Sequence, residues 1–110
     1  MSNNDFLTVT YKMLSYLKWC YENGKMSDPD ILNFDTFNVS MEQFGNILGT
    51  LKERGYVDGV SVKKTLNGTP VITIGNASIT IEGLEYLAKN SKMKELYKEL
   101  KEVRDWLPGF

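Results

Sequence analysis

The side chains that could catalyse a reaction in this chain are few, and their spacing favours packing or solvent exposure. The sequence has one cysteine and no histidine, so the commonest general base and metal ligand is missing. Cys20 occupies an apolar position of a helical pattern, where we expect a thiol without a histidine partner to be inert. Asp28 with Asp30, and Glu82 with Glu85, belong to no metal-binding or phosphate-binding motif. We therefore expect no enzyme activity, no catalytic or metal-binding residues and no cofactor.

A second group of side chains could recognise double-stranded DNA. Gln43, Asn46 and Thr50 lie on or beside one face of a predicted helix; Asn and Gln can bond adenine edges, and Thr can contact a thymine methyl. Lys63 and Lys64 follow on a predicted hairpin, where they could contact phosphate or the minor groove. Such lysines also discourage strand pairing. Two glutamates on the same helix would oppose a polyanion, so a solvated or partner-covered face is an equal alternative.

The composition limits the class of protein in which these residues act. The chain has 110 residues, of which 42% are hydrophobic and 25% charged, which suits one packed domain over residues 1–110. Its net charge of -1 is unlike the basic balance of a dedicated nucleic-acid domain, so any phosphate-facing surface has to be local. The sequence has no apolar run long enough to span a membrane and no signal-peptide pattern at its start. We therefore expect a cytoplasmic protein with no membrane contact.

The candidate DNA contacts of the first half depend on a helix predicted over residues 41–54. Ser40 and Gln43 have the spacing of a capping box, and Val39 with Phe44 has that of a hydrophobic staple. The helix is predicted to end at a glycine that follows it directly. Its apolar face comprises Phe44, Ile47, Leu48 and Leu51.

The segments on either side of this helix predict a winged helix-turn-helix. A short helical turn at residues 33–37 precedes it, with Asn38 as a left-handed turn residue. Two β-rich runs follow, and Asn67-Gly68 predicts a two-residue turn between them, so a hairpin wing comes next. Gly45 and Gly49 each cost about 1 kcal/mol relative to alanine in a helix. Two such costs indicate that a neighbouring helix or a nucleic-acid groove approaches the backbone there.

One further helix is predicted at the start of the chain. Apolar residues recur at helical spacing over residues 6–20, with Asp5 or Asn4 as the N-cap and Asn23-Gly24 as the stop. Ile31-Leu32 is a possible very short strand in the loop that follows. This helix and this loop precede the helical turn at residues 33–37.

Two helices are predicted after the hairpin. Thr80 caps the first and Asn90 stops it, while Ser91 caps the second, a single helix that ends at Pro108-Gly109. Because a winged-helix core is largely complete by residue 90, the apolar side of the last helix must pack on the first helix or on a second subunit. A homodimer would place two recognition helices about 34 Å apart. The candidate partner or dimer contacts are Tyr11, Trp19, Leu96, Leu100, Val103, Arg104 and Leu107.

Two stretches resemble the YjcQ family, which comprises small winged-helix proteins of Gram-positive bacteria, their phages and prophages. One is Ile79-Thr80-Ile81-Glu82-Gly83-Leu84-Glu85-Tyr86-Leu87 running into Asn90-Ser91, and the other is the tail from Met93 to Trp106-Leu107-Pro108-Gly109-Phe110. The segments 5–17 and 39–56 also fit, so the resemblance extends over nearly the whole chain. It implies a fold, and it transfers no catalytic or cofactor residues.

The sequence therefore predicts an α+β fold, with a winged-helix core at residues 1–90 and an additional C-terminal helix at residues 91–110. The leading hypothesis is a non-enzymatic DNA-binding or transcription-associated protein of phage or prophage type, acting as a homodimer. The alternative is a winged-helix module that binds another protein, not DNA, through Tyr11, Trp19 and the last helix. Near-neutral charge favours the alternative, whereas the grouping of Gln43, Asn46 and Thr50 favours the leading hypothesis.

Overall fold

The first helix forms the centre of the molecule in a computed structural model of the chain, which describes residues 5–107. This helix, α1, extends over Phe6–Glu22, and the carboxylate of Asp5 caps it by accepting a hydrogen bond from Thr8 N at 2.7 Å. Asn23 and Gly24 end it, as predicted, and Gly24 has a φ of 63°. The alternative cap Asn4 and the predicted helix end at Pro108-Gly109 lie outside the described residues.

The other elements of the described chain are four helices and one antiparallel hairpin, so the fold is α+β, as predicted. None of the helices within residues 5–107 has the length and apolar character needed to cross a bilayer. In chain order the elements after α1 are α2 (Met41–Glu53), β1 (Val57–Lys64), β2 (Pro70–Ile79), α3 (Ile81–Lys89), α4 (Ser91–Leu100) and α5 (Val103–Trp106).

The connection between α1 and α2 consists of turns. The predicted strand at Ile31-Leu32 is wrong, because both backbone N–H groups donate to the carbonyl oxygen of Asp28 instead of to a strand partner. The predicted helical turn at residues 33–37 is a series of turns. It nevertheless ends as a helix does, since Asn38 has a φ of 56° and the next residue's N–H donates back to the carbonyl of Phe34.

The start of α2 agrees with the sequence prediction. The Ser40 hydroxyl accepts a hydrogen bond from Gln43 N at 3.1 Å, as an N-cap should. At the other end Gly55 adopts a φ of 77°, which stops the helix and turns the chain into β1. The apolar side chains predicted for the buried stripe, Phe44, Ile47, Leu48 and Leu51, are all buried.

The hairpin has the predicted strands and a longer loop than predicted. Lys64 pairs with Pro70, which leaves a five-residue connection in place of a two-residue turn at Asn67-Gly68. The Thr65 hydroxyl donates to the Asn67 side chain and to the carbonyl oxygen of Thr69, at 3.1 Å in the second case, and thereby holds the wider loop. A register irregularity between Asp58 and Val60 bends the strand pair.

The C-terminal part departs most from the prediction. Thr80 caps α3 as expected, with its hydroxyl accepting from Gly83 N at 3.0 Å. Asn90, not Ser91, caps α4, because the Asn90 side chain accepts from two backbone N–H groups at 3.0 and 3.1 Å. The predicted single last helix is two helices, which separate at Lys101, where φ is 61°. The backbone N–H of Glu102 donates to the Asp105 carboxylate at 3.0 Å and starts α5.

The core surrounds α1, which packs against β2 and against each of the other helices. One cluster joins α1 with α2, the hairpin and α5, and includes Val103 and Leu107. A smaller cluster consists of Tyr11 of α1 with Met93 and Leu96 of α4. Residues after position 90 thus form part of the buried interior.

Candidate nucleic-acid interface and a neighbouring groove

The two glycines of α2 face the hairpin. A Cβ atom at Gly45 would lie 3.0 Å from Pro70 Cβ, and a Cβ atom at Gly49 would lie 3.6 Å from Val62 Cβ. The close approach inferred from these glycines therefore involves a strand pair of the same chain, rather than a helix or a nucleic-acid groove. Two sides of α2 are occupied as a result, one by the core and one by the hairpin.

The third side of α2 carries the candidate DNA contacts, and we call it the α2 face: Glu42, Gln43, Asn46, Thr50 and Glu53. Asn46 is exposed, whereas Gln43 and Thr50 are half-buried. The Thr50 hydroxyl donates to the carbonyl oxygen of Asn46 at 2.8 Å, so its methyl is the part left for an outside contact. No other element of the described chain covers Asn46, and its amide is available to a partner.

The two hairpin lysines lie on opposite sides of the strand pair. Successive side chains of a strand alternate between faces, so Lys64 shares a face with Val62, which packs on α2. Lys63 points to the other face, and both lysines are exposed. Lys64 is therefore the hairpin cation nearer to the α2 face.

The charges around the α2 face are mixed. Its two glutamates, Glu42 and Glu53, are exposed, and Arg54 follows directly at the end of the helix. Lys52 lies on the hairpin side and pairs with Asp58 at 3.5 Å. With Lys64, this side of the molecule holds two cations without a carboxylate partner in the described chain against two glutamates, and Lys63 lies on the opposite face of the hairpin. The charges on this side therefore balance, in keeping with the near-neutral sequence.

The predicted partner or dimer contacts are largely inside the molecule. Tyr11 is 3% exposed, and its hydroxyl donates to the Lys101 carbonyl oxygen at 2.8 Å. Tyr11 is therefore covered within its own chain, because the segment between α4 and α5 places the Lys101 carbonyl over it. Leu96, Val103 and Leu107 are buried as well, whereas Trp19 and Leu100 are half-buried and Arg104 is exposed.

Cys20 is buried, and desolvation raises the pKa of its thiol, which disfavours the nucleophilic thiolate. Desolvation likewise raises the pKa of the neighbouring Tyr16 to about 12. Among residues 5–107, no three Cys, Asp or Glu side chains are grouped in a way that could hold a metal ion.

A groove that the sequence analysis missed lies between α1 and the three C-terminal helices. Its volume is about 480 Å³, and its floor includes Tyr11, Trp19 and Leu87. Lys94 and Lys98 stand one helical turn apart on α4 at its edge. That spacing was visible in the sequence, but the floor was not, because it is formed by residues far apart in the chain.

Comparisons with known proteins give a consistent result. The model of one protein family, described as YjcQ protein, matches residues 11–106. A protein of Bacillus subtilis strain 168, named Uncharacterized protein YjcQ, is 30% identical to the chain over 92 residues, which cover 83% of the chain and 88% of that protein. No solved structure matches the chain. The stretch matched by the family model contains the α2 face, the hairpin and the groove.

Proposed function

Because the chain belongs to the YjcQ family, a membership that assigns no reaction, we propose its function from its own geometry: it is a small, non-enzymatic DNA-binding protein of winged-helix type. In this proposal α2 is the recognition helix, the hairpin is the wing, and the protein serves a transcription-associated role in a phage or prophage. The capped helix and the hairpin after it follow the order of this fold, and a series of turns stands in the place of its first short helix.

One observation carries the proposal. The core and the hairpin occupy two sides of α2, while Asn46 on the third side is exposed and Lys64 lies on the strand face that packs against the same helix. An amide side chain can read adenine in the major groove, and a neighbouring lysine can contact the phosphate backbone. A helix flanked in this way by a cationic hairpin suits insertion into a groove of duplex DNA.

Fluorescence anisotropy with a pooled, random-sequence duplex tests the proposal. Two phosphate contacts, from Arg54 and Lys64, give a salt slope of about -1.8, so affinity should fall roughly 12-fold between 50 and 200 mM salt. Lys64→Ala should weaken binding to all duplexes alike, and more than Lys63→Ala does. Lys89→Ala is the matched control, since this exposed lysine lies on α3, away from α2 and the hairpin.

Base recognition is tested separately, by selection from randomised duplexes. Asn46→Ala should change the selected sequence, whereas Lys64→Ala should lower the yield without changing the sequence. If wild-type protein binds no duplex even at 50 mM salt, the proposal is rejected, and the module that binds another protein takes its place. If Asn46→Ala and Lys64→Ala both lower the yield and neither changes the selected sequence, only the base-reading role of Asn46 is rejected.

The proposed DNA-binding surface lies on one copy of the chain and does not need a second copy. Four of the seven residues predicted for a dimer contact are buried within the chain itself, which leaves Trp19, Leu100 and Arg104 for any contact between copies. A homodimer through those three would still present two α2 helices to successive major grooves, about 34 Å apart. Light scattering gives the mass directly, and Arg104→Glu should lower a dimeric mass to that of one chain.

A further inference from the structure

The groove beside α1 has an apolar floor of the kind that holds a hydrocarbon chain. Tyr11 and Trp19 of α1, Leu84 and Leu87 of α3 and Val103 of α5 line it. Its volume of about 480 Å³ lies within the range of small-molecule sites. Burying an apolar ligand there would remove both its surface and that of the floor from water, which is the main source of affinity in such sites.

The edge of the groove is positively charged. Lys18, Lys94, Lys98 and Lys101 line it, against two carboxylates, Glu22 and Glu102. Both carboxylates have a partner already, since one is 3.8 Å from the Lys18 ammonium and the other accepts a hydrogen bond from Tyr97 Oη at 3.2 Å. In the described chain no carboxylate forms an ion pair with Lys94, Lys98 or Lys101. These three ammonium groups are available to an anion.

From the apolar floor and the three unpaired lysines we infer that the groove binds a small amphipathic anion, a free single-chain carboxylate of medium chain length. Its hydrocarbon chain lies over Trp19 and Leu87, and its carboxylate lies between Lys94, Lys98 and Lys101. A neutral lipid would leave the lysines without a partner, and a small inorganic anion would leave the floor exposed to water. A ligand with both parts satisfies both surfaces. This inference is independent of DNA binding.

Isothermal titration calorimetry with dodecanoate, kept below its micelle concentration, tests the inference on the full chain. We expect saturable binding of one dodecanoate, together with a change in Trp19 fluorescence that Trp19→Phe removes. Acetate has the charge without the chain, dodecanol has the chain without the charge, and dodecyltrimethylammonium carries the opposite charge. We expect each of these three to bind more weakly than dodecanoate.

Two variants test the two parts of the groove. Lys94→Gln combined with Lys98→Gln should weaken dodecanoate binding about tenfold, as expected for two solvent-exposed ionic contacts. Lys89→Gln is the matched control, because this lysine lies outside the groove lining, and the affinity should stay unchanged. Ala88→Trp should fill the groove and abolish binding; Ala88 is exposed on α3, so a thermal melt should confirm that the variant is folded.

Three results would overturn the inference. One is the absence of dodecanoate binding to the wild type. Another is equal affinity for dodecanoate and dodecanol, which would reduce the site to a nonspecific apolar patch. The third is unchanged dodecanoate affinity in the folded Ala88→Trp variant, which would place the ligand elsewhere. None of these results bears on the duplex titrations, so the two proposals fail separately.

Discussion

Cys20 shows how the surroundings of a residue decide its chemistry. It is 4% exposed, and burial raises the pKa of its thiol, so the reactive thiolate is scarce at neutral pH. We expect a thiol-specific reagent such as Ellman's reagent to modify Cys20 at least about tenfold more slowly in the native chain than in guanidinium chloride. Equal rates in the two states would contradict the burial of this side chain.

Asp5 is a residue whose charge contributes to folding. Its hydrogen bonds with Thr8 hold the pKa of the carboxyl below its ordinary value. A lowered folded pKa means that the ionised cap stabilises the fold above about pH 4, and that this contribution is lost as the pH falls through the folded pKa.

Replacement of Asp5 separates the capping effect from the charge. We expect Asp5→Ala to lower the free energy of unfolding by about 1 kcal/mol at pH 7, and by less at pH 3. Asp5→Asn, which can cap without an ionisable group, should retain most of the stability at pH 7 and lose the pH dependence. Chemical denaturation at the two pH values measures both; an Asp5→Ala deficit that is the same at pH 3 would refute the role of the charge.

At the scale of elements, the two glycines of α2 offer a matched pair of alanine substitutions that test how the hairpin packs on the helix. A Cβ atom at Gly49 would make ordinary van der Waals contact with Val62, whereas one at Gly45 would press on Pro70 at 3.0 Å and 3.2 Å. We expect Gly49→Ala to stabilise the protein by up to about 1 kcal/mol through helix propensity alone. Gly45→Ala should not show this gain, because Pro70 is held in the strand pair. Urea denaturation of both variants would show the difference, and an equal gain at the two sites would mean that the hairpin does not pack on α2.

The starts of α2 and α3 were predictable from the sequence, whereas the start of α4, the length of the hairpin loop and the break between α4 and α5 were not. Ser40 and Thr80 cap their helices with their own side chains, so the sequence nearby is sufficient. At the break, the carbonyl oxygen of Lys101 accepts a hydrogen bond from Tyr11, ninety positions away. An apolar period of 3.6 continues through that break and cannot reveal it.

Of the two candidate sites, one could be predicted from the sequence of a single helix and the other could not. The exposed position of Asn46 was predictable because one helical period fixes which face is polar. The floor of the groove was not predictable, since Tyr11, Leu87 and Val103 lie on three helices far apart in the chain and meet only in the folded molecule. The polar face of a single helix can thus be derived from sequence, whereas a groove between helices needs tertiary structure.

At the scale of the whole molecule, α4 and α5 belong to the folding unit. Met93 and Leu96 pack on Tyr11, and Val103 and Leu107 complete the main core around α1. A chain that ends at Asn90 would expose these contacts of α1 to water. We expect it to lose the cooperative thermal transition of the full chain, whereas Met93→Ala in the full chain should retain the transition and lose about 3 kcal/mol. Circular dichroism melts test both, and a sharp transition in the shortened chain would show that α4 and α5 are dispensable.

The packing of α1 against the last two helices has a consequence for biosynthesis. Synthesis proceeds from the amino end, so α1 is made before α4 and α5, which cover part of its apolar side. That part of nascent α1 stays uncovered until residue 107 has left the ribosome.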